Sequence, residues 1–547
     1  MAFAILVRRS DILKARIRLL DEKQDLATQA LRRIARDWSG IARSSWEPPP
    51  DTHPYAADLD IFGAASLVQL LPRVSRSPGR TTLRSWLLDA APSRELRRRN
   101  EAITELIPSH ELRDILSAYG ARVPLSATQT EQLSSWSEQV SLASGQAALM
   151  RIVAWVAPIA LWMLGLATYL LHLPNAFWIA PLILCALLTR RYGPELKKEL
   201  AGVAGYASAI KAFADLAAVI VAAEFSSELL RELKERLSAG EISAATAMRK
   251  LGALAECEAI RASPMMHFIL QLFTLWDFHL VFALARWRKS SGHEVRIWLE
   301  SIGIVESLAA LATLAHDNPG WHFAEVDDAG PKCFQADSLA HPLLPPDRCV
   351  ANDVTVGPEG TVLAITGSNM SGKSTLLRSI GLNLVLAHAG SVVCAASLRC
   401  PPITLITSLR VQDSLENGVS YFMAELRRLK LIVDTADMQR SSGATVLYLL
   451  DEIFQGTNSA ERSIAARHVL AHLISSEAIG AVTTHDLQLF ESPLVAAFAR
   501  HVHFEESFST TAGPTMSFDY RLRSGPATST NALKLMELVG LPMRPSA

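Results

Sequence analysis

One short segment carries the residue types needed to hold a nucleotide phosphate. It fits the pattern GxxxxGK[ST] at every fixed position, between a strand predicted at 361–365 and a helix predicted at 375–386. Glycines let backbone N–H groups turn inward around a phosphate at the positive end of the following helix. Lys373 would place its charge on the β- and γ-phosphates, and the Ser374 hydroxyl would ligate Mg²⁺. The residues predicted to bind ATP here are Gly367, Ser368, Asn369, Met370, Ser371, Gly372, Lys373, Ser374 and Thr375.

Two other predicted strand ends carry residues that would complete such a site. The apolar run 445–450 ends in Asp451 and Glu452. An acid in that place holds Mg²⁺ through water, and the next carboxylate can polarise the attacking water. The run 479–484 is followed by His485, which is predicted to reach the γ-phosphate or the attacking water. The alternative is that His485 is a surface histidine at the end of a strand. The predicted catalytic residues are therefore Lys373, Glu452 and His485, and the predicted metal ligands are Ser374 and Asp451.

A third segment, 416–425, is predicted to bind a ligand only when it faces another subunit. Asn417 and Gly418 form a predicted turn, and Ser420 follows near a predicted helix start, where backbone N–H groups are free to bind an anion. One subunit alone offers this helix start nothing to bind. Facing the γ-phosphate of a partner, Ser420 would complete a composite ATP site, which predicts a homodimer through the ATPase domains.

The elements that must position these residues change character near residue 320. Helical periodicity dominates before it, and short β-rich runs, turns and helices follow it, which predicts a C-terminal α/β domain. The chain is predicted to be multidomain. Its predicted segments are an N-terminal helix with a Pro-rich linker (1–50), a helical segment (51–150), a transmembrane hairpin (151–191), a second helical segment (192–320) and a P-loop ATPase domain (321–547).

The hairpin prediction depends on 152–189, a stretch without Asp, Glu, Lys or Arg. Residues 152–171 are long enough to cross about 30 Å of hydrocarbon as a helix, and a turn at 172–175 leads into a shorter apolar run. Arg and Lys on both flanks predict that both termini and the ATPase domain are cytoplasmic, with two passes through the cytoplasmic (inner) membrane. The alternative is a soluble hairpin buried in a large core. The apolar runs 203–223 and 268–285 contain charged residues and are predicted to be buried helices.

Composition narrows the possible partners. The 547 residues include 53 Lys and Arg and 54 Asp and Glu, so the net charge of -1 excludes a protein that is basic overall. It leaves open nucleic-acid binding through a local patch. With 49% hydrophobic and 20% charged residues the chain cannot be mostly disordered. The six cysteines form no CxxC pair, which argues against a zinc site and favours a reducing compartment.

Four segments together resemble the ATPase domain of the MutS family. Thr366–Thr375 is similar to its TGxNMxGKST phosphate loop, and Ser420–Glu425 is similar to its trans-acting signature helix. Asp451-Glu452-Ile453, with Gly456-Thr457-Asn458 after it, resembles the Walker B strand and dimer-contact loop. Thr483-Thr484-His485 resembles the switch histidine. The resemblance is strong over 340–545 and extends weakly back to 58.

The resemblance implies a fold and an activity. It implies an ABC-type P-loop NTPase domain that follows a helical part similar to the MutS core and lever segments. It further implies an Mg²⁺-dependent ATPase whose homodimer closes on ATP, with Ser420 of each subunit capping the γ-phosphate of the other, and which acts on DNA. Ser371 stands where many MutS proteins have Gly, and Phe454-Gln455 replaces the usual Gly-Arg. The N-terminal region is expected to lack a mismatch-reading domain.

Three functions compete at this point. The first is a membrane-anchored MutS-like ATPase that couples ATP to DNA binding. The second is a mechanochemical ATPase that does not bind DNA and serves membrane-linked sensing or defence. The third, an ABC transporter subunit, is disfavoured because one hairpin makes no substrate path and no LSGGQ-like segment exists.

Overall fold

The chain folds into two units whose segments alternate along the sequence. A computed structural model describes residues 2–43, 46–50, 52–139, 147–368, 370–410, 421–453, 459–485, 487–490, 492–509 and 515–526. The first, which we call the helical unit, comprises the described parts of 1–23, 73–84 and 108–310. The second, the sheet unit, comprises those of 24–72, 85–107 and 311–547. These units divide the chain differently from the contiguous segments expected from the sequence.

Helices and no strands occur in the described residues as far as Asp317, as the sequence predicts, and the described part of 36–66 between α1 and α2 is irregular. The link between α4 and α5 and the corner between α12 and α13 are each at most three residues long. The helices are α1 Ala2–Ala35, α2 Leu67–Leu70, α3 Gly79–Leu88, α4 Ser93–Leu106, α5 His110–Ala121, α6 Ala127–Glu138, α7 Ala147–Leu171, α8 Ala176–Leu200, α9 Ala207–Ala222, α10 Glu228–Ser238, α11 Ala244–Ala259, α12 Pro264–Thr274, α13 Trp276–Ser291 and α14 Val295–Asp317.

Close packing in the helical unit depends on small residues and one buried acid. Helices α9 and α11 bury alanine-rich faces against each other, which confirms the prediction of a buried helix at 203–223. The Glu306 carboxylate on α14 is fully buried and accepts hydrogen bonds from the Ser75 N–H (2.9 Å) and hydroxyl (2.6 Å). A Cβ added at Gly120 would lie 2.2 Å from a Glu306 carboxylate oxygen, so only glycine fits there.

The predicted hairpin is a pair of contacting helices, α7 and α8, joined at 172–175. Two described stretches are long and apolar enough to cross a membrane, Met150–Leu171 and Trp276–Asp317. The most apolar part of the second is 78% buried within the protein, as expected of a core helix, whereas that of the first is only 22% buried. The helical hairpin is therefore confirmed, and its place in a membrane stays a prediction.

The prediction of one buried helix at 268–285 is wrong for its first part. Leu275 adopts a left-handed conformation (φ 52°) and separates α12 from α13. Helix α13 is largely buried, but α12 exposes Met265 and Phe268 to 75% and 64% of their surfaces. The two halves differ because the chain turns at Leu275, and α12 keeps only one edge in contact with the rest of the helical unit.

The sheet unit contains the strands and the remaining helices. The strands are β1 His322–Phe323, β2 Glu325–Val326, β3 Phe334–Leu339, β4 Asn352–Val356, β5 Val362–Thr366, β6 Val392–Val393, β7 Ser397–Cys400, β8 Ile403–Ser408, β9 Thr445–Asp451, β10 Ile479–Thr483, β11 Ala499–Ser509 and β12 Thr515–Ser524. The helices are α15 Lys373–Ala389, α16 Tyr421–Ser442, α17 Ser459–Ser475 and α18 Pro493–Phe498.

A six-stranded sheet in the order β12-β11-β5-β10-β9-β8 forms the centre of this unit. Its strands are parallel except β12, which pairs antiparallel with β11. Residues of β5 and β10 are buried throughout, as is usual for parallel strands covered on both faces. Helices α16 and α17 bury Ile432 and Leu470 in the same core as Leu450 of β9. The predicted C-terminal α/β domain is confirmed, and β5, β9 and β10 lie where the sequence places them.

Candidate functional site

The phosphate-binding segment follows β5 and leads directly into α15. Gly367 and Gly372 have φ values of 135° and 103°, which residues with a Cβ rarely adopt. A Cβ on Gly367 would also lie 2.8 Å from the Ser371 hydroxyl oxygen and 3.0 Å from the Phe504 carbonyl oxygen. Both glycines are therefore required for the loop to turn tightly between strand and helix.

The Lys373 side chain is buried beneath this loop. Its ammonium group donates hydrogen bonds to the carbonyl oxygens of Gly367 (2.8 Å) and Ser368 (2.9 Å). The same nitrogen lies 3.1 Å from Nε2 of His485. The lysine charge is thus held between the loop and the end of β10, two elements more than a hundred residues apart in sequence.

The two acidic residues reach the same place because β9 and β10 are adjacent. Thr483 lies directly opposite Asp451 in the parallel register, and its hydroxyl donates to the Asp451 carboxylate. The Glu452 N–H donates to the Thr483 carbonyl and hydroxyl oxygens, each at 3.2 Å. A carboxylate oxygen of Glu452 lies 2.9 Å from Nε2 of His485. The structure therefore brings Lys373, Glu452 and His485 together.

A cavity of about 640 Å³ opens beside the loop. Lys373, Ser374 and Thr375 line one part of it, and Val350 and Tyr520 are among the apolar and aromatic side chains that line another. Asn352 fixes the Tyr520 segment by donating to the Tyr520 carbonyl (3.0 Å) and accepting from the Leu522 N–H (2.6 Å). The cavity has a polar end at the loop and an apolar end suited to an aromatic base.

Sequence reasoning missed the apolar end. Val350 precedes β4, Asn352 is the first residue of β4, and Tyr520 lies in β12. All three are outside the loop motif. The resemblance over 340–545 covers these positions but assigns them no part in the site. The Asn352 side chain joins two strands that lie about 170 residues apart in the sequence, and such a distant contact leaves no local pattern to detect.

The residues predicted to hold Mg²⁺ are suited to that ion. Ser374 faces the cavity with a hydroxyl group, and Asp451 ends β9 with a carboxylate. Both supply hard oxygen ligands, and Mg²⁺ typically takes one or two such protein groups together with phosphate oxygens and water. Within the described ranges no group of three His, Cys, Asp or Glu side chains is arranged to chelate a metal without a substrate.

Other predicted site residues have different surroundings. The Ser371 hydroxyl is turned inward and donates to the Ser368 carbonyl (2.8 Å), whereas Met370 is exposed. Asn369, Ser420 and the segment 454–458 lie outside the described residues. Their predicted roles therefore stay predictions.

The chain on either side of 411–420 is held by one buried carboxylate. Asp58 accepts hydrogen bonds from the Thr407 hydroxyl (2.6 Å), the Leu409 N–H (3.1 Å) and the Arg410 N–H (3.3 Å). Arg428 on α16 lies 3.7 Å from the same carboxylate and donates to the Thr407 carbonyl (2.7 Å). No local sequence pattern predicted that Asp58 would hold this part of the chain.

Comparison with known proteins agrees with this geometry. Residues 363–545 match the family model "MutS domain V". The resemblance to the MutS family is therefore confirmed for this domain. Over 261 residues it is 32% identical to "Endonuclease MutS2" of Thermomicrobium roseum, an alignment that covers 44% of this chain. It covers 31% of the length of that relative, so the likeness concerns less than a third of the other protein.

Proposed function

We propose that this MutS-family protein is an ATPase that binds and hydrolyses ATP in the cavity beside α15. The observation that carries the proposal is a contact of three side chains at the phosphate loop of a MutS domain V. Nε2 of His485 lies 3.1 Å from the Lys373 ammonium nitrogen and 2.9 Å from a Glu452 carboxylate oxygen. These three residues come from three separate elements, and a purely structural role would not require a lysine, a carboxylate and a histidine at one loop.

Each residue has a role in this proposal. Lys373 exchanges its loop carbonyl partners for the β- and γ-phosphate oxygens of ATP. Glu452 orients and polarises the attacking water, and His485 interacts with the γ-phosphate or with that water. Bound Mg²⁺, held by Ser374 and Asp451, would neutralise charge on the phosphates. The adenine would occupy the apolar end of the cavity, near Tyr520 and Val350.

The proposed active form is a homodimer. Helix α16 begins at Tyr421, directly after Ser420, as the sequence predicts for a helix that presents its N-terminus to a phosphate. We expect Ser420 of each subunit to cap the γ-phosphate in the site of the other. ATP binding would then close the dimer, and hydrolysis would release it.

The proposed cellular role is a membrane-anchored ATPase that couples this cycle to DNA binding. The name of its relative, an endonuclease, supports a connection with nucleic acid. The apolar hairpin supports an anchor in the cytoplasmic membrane, with both termini and the ATPase domain on the cytoplasmic side. Because the net charge of -1 does not favour DNA, a mechanochemical ATPase without DNA is the second candidate.

Two substitutions test the ATPase assignment. Lys373→Ala should abolish ATP binding, because the phosphates lose their point charge. Glu452→Gln should retain binding but lower turnover by about 10²-fold or more, and trap an ATP-bound dimer. Lys430→Ala serves as a control, since Lys430 pairs with Asp434 on the exposed surface of α16. Normal turnover in Glu452→Gln would refute the assignment of the water-activating residue.

A second experiment separates the two cellular roles. Binding to duplex and to branched DNA would be measured by mobility shift, with and without ATP, at about 50 and 200 mM salt. DNA binding through phosphate contacts should weaken steeply between these salt concentrations. If no nucleotide state gives salt-sensitive binding, the DNA role is excluded and the second candidate stands.

A further inference from the structure

We propose that α7, α8 and α12 form an apolar wedge that enters one leaflet of a lipid bilayer and does not cross it. The inference rests on the proposed membrane association and specifies its geometry. It differs from the two-pass topology predicted from the sequence in both the depth of the hairpin and the number of helices that meet lipid.

The first support is the apolar surface of the hairpin tip. No described residue between 162 and 184 is buried, although α7 and α8 contact each other along this part. Met163, Leu166 and Leu170 on α7 are among the exposed side chains, as are Phe177 and Ile183 on α8. A soluble protein rarely exposes so large a continuous apolar surface to water.

The second support is that α12 extends this surface. No Asp, Glu, Lys or Arg occurs from 262 to 276, so α12 is as free of charge as the hairpin. The Trp162 indole donates to the Phe273 carbonyl (3.2 Å), and Gln271 donates to the Thr189 hydroxyl (3.1 Å). Helix α12 is therefore fixed to both hairpin helices, while Met265 and Phe268 remain exposed beside them.

The depth follows from contacts along α7. Arg151 lies over Phe282, Trp155 contacts His279, and Trp162 contacts Phe273. Up to Trp162, α7 is thus attached to α12 and α13. Beyond it, residues 163–171 project for about 14 Å, which is close to one leaflet of a hydrocarbon layer about 30 Å thick.

Charged groups at the base oppose deeper insertion. The buried Asp277 carboxylate accepts a hydrogen bond from Arg261 (2.6 Å) and lies 3.0 Å from Nε2 of His267. Asp277 is two residues from His279, which contacts Trp155 on α7. If all of 152–171 spanned the membrane, this ion pair and Arg151 would enter or closely approach hydrocarbon, which is costly. Arg191 on α8 is exposed, although its guanidinium lies 3.5 Å from the Glu195 carboxylate, and it can also meet anionic headgroups at this level.

Thiol labelling tests the depth. Leu173→Cys at the exposed tip would be made in a background in which all six native cysteines are replaced by alanine. The protein would be treated with a membrane-impermeant maleimide in intact bacterial host cells, in inverted membrane vesicles and in detergent. Insertion into one leaflet predicts labelling only in detergent, with the protein in the membrane pellet. Labelling from outside intact cells would show that the hairpin crosses the membrane completely. Labelling in pelleted inverted vesicles would show that the tip lies outside the bilayer on the cytoplasmic side. Either result would overturn the inference. Recovery in the soluble fraction would overturn the proposed membrane association itself.

Vesicle binding tests the part played by α12. The double variant Phe268→Asp/Ile269→Asp should bind vesicles of phosphatidylcholine and phosphatidylglycerol about tenfold more weakly than the unmodified chain, because two apolar side chains no longer enter the interface. Ile297→Asp on α14 is the matched control, since Ile297 and Ile269 are 46% and 45% exposed. Unchanged ATP hydrolysis would show that both variants fold. Equal binding by the double variant and the control would exclude α12 from the membrane contact, and a stable detergent-free dimer without vesicle binding would assign the surface to a second copy.

Discussion

Glu452 occupies an unusual backbone conformation for a residue with a side chain. Its φ of 45° is left-handed, and its N–H is held by two oxygen atoms of Thr483. Such a conformation persists only where the surroundings impose it, and it is often found at functional sites. Thr483 is therefore a positioning residue for both acids, since its hydroxyl also bonds Asp451.

Replacing Thr483 with valine should lower ATP turnover about tenfold to a hundredfold with little change in folding. Valine keeps the shape of threonine but removes the hydroxyl that fixes Asp451 and Glu452. Steady-state hydrolysis with ATP-binding measurements would check this, and Thr483→Ser should restore most of the activity. Equal turnover in the valine and serine variants would contradict the positioning role.

Gly480 is constrained by its neighbour in the sheet. It lies opposite Tyr448 in the parallel pairing of β10 and β9, and an added Cβ would lie 2.1 Å from the tyrosine ring. We expect Gly480→Ala to destabilise the sheet by about 1–3 kcal/mol, because the buried ring must move. Hydrogen exchange of β9 and β10 amides measures this, and Gly320→Ala, where no atom lies within 4 Å of the added Cβ, should change it little.

Glu306 makes the stability of the helical unit depend on pH. Burial raises the pKa of Glu306 to about 7, although the hydrogen bonds from Ser75 favour the ionised form. The folded chain therefore keeps a proton that the unfolded chain loses above about pH 4.5, and stability falls as the pH rises toward 7. Glutamine cannot ionise, so Glu306→Gln should abolish this pH-dependent loss, which amounts to up to about 3 kcal/mol in the free energy of unfolding. Hydrogen exchange of the α14 amides would be measured at pH 5 and pH 8 in the unmodified chain and in Glu306→Gln. The difference in stability between the two proteins should change with pH. A difference that is the same at both pH values would contradict the raised pKa of Glu306.

At the scale of elements, Asp58 and Arg428 join β8, α16 and the turn at 53–58. We expect Asp58→Ala to cost about 2–4 kcal/mol locally, because it leaves two backbone N–H groups without their acceptor and removes the carboxylate that lies beside the Arg428 guanidinium. Faster hydrogen exchange in β8 would reveal it. Asp434→Ala removes a carboxylate from an exposed pair and should have almost no effect. Similar exchange in both variants would mean that Asp58 does not hold these elements.

The sequence predicts some elements well and others poorly, for physical reasons. Strands β5, β9 and β10 are short apolar runs bounded by motif residues, so their positions and the residues at their ends were predictable. Helix α12 was not, because an apolar helix has the same composition whether it faces a protein core or another apolar medium. The surroundings of Tyr520 and Asp58 were also beyond prediction, since pairing between distant segments leaves no local signal.

At the scale of the whole molecule, the sheet unit is not a continuous piece of chain. Tyr55 donates to the Leu88 carbonyl (2.6 Å), Arg99 donates to the Ala389 carbonyl (3.3 Å), and Leu59 is fully buried against Gly381. Tyr55, Leu59, Leu88 and Arg99 precede position 321, where the sequence predicted the ATPase domain to begin. They supply part of the core that any ATPase fragment would need.

A fragment of residues 321–547 should therefore be much less stable than the same residues in the full chain. It lacks the segments 24–72 and 85–107, and it would expose apolar surface on α15 that they cover. Soluble yield and ATP binding would be compared for the fragment, the full chain and the fragment co-expressed with residues 24–107. Full ATP binding by the fragment alone would show that the earlier segments are dispensable.

The bond between Pro54 and Thr407 also sets an order of events during synthesis. The Thr407 N–H donates to the Pro54 carbonyl across 353 residues of intervening chain. At about 5–20 residues per second, the ribosome needs roughly 20–70 seconds to deliver the second partner after the first. The apolar hairpin is synthesised during that interval, while the sheet unit is still incomplete. The sheet unit, and with it the proposed nucleotide site, can therefore be completed only after the hairpin has been synthesised.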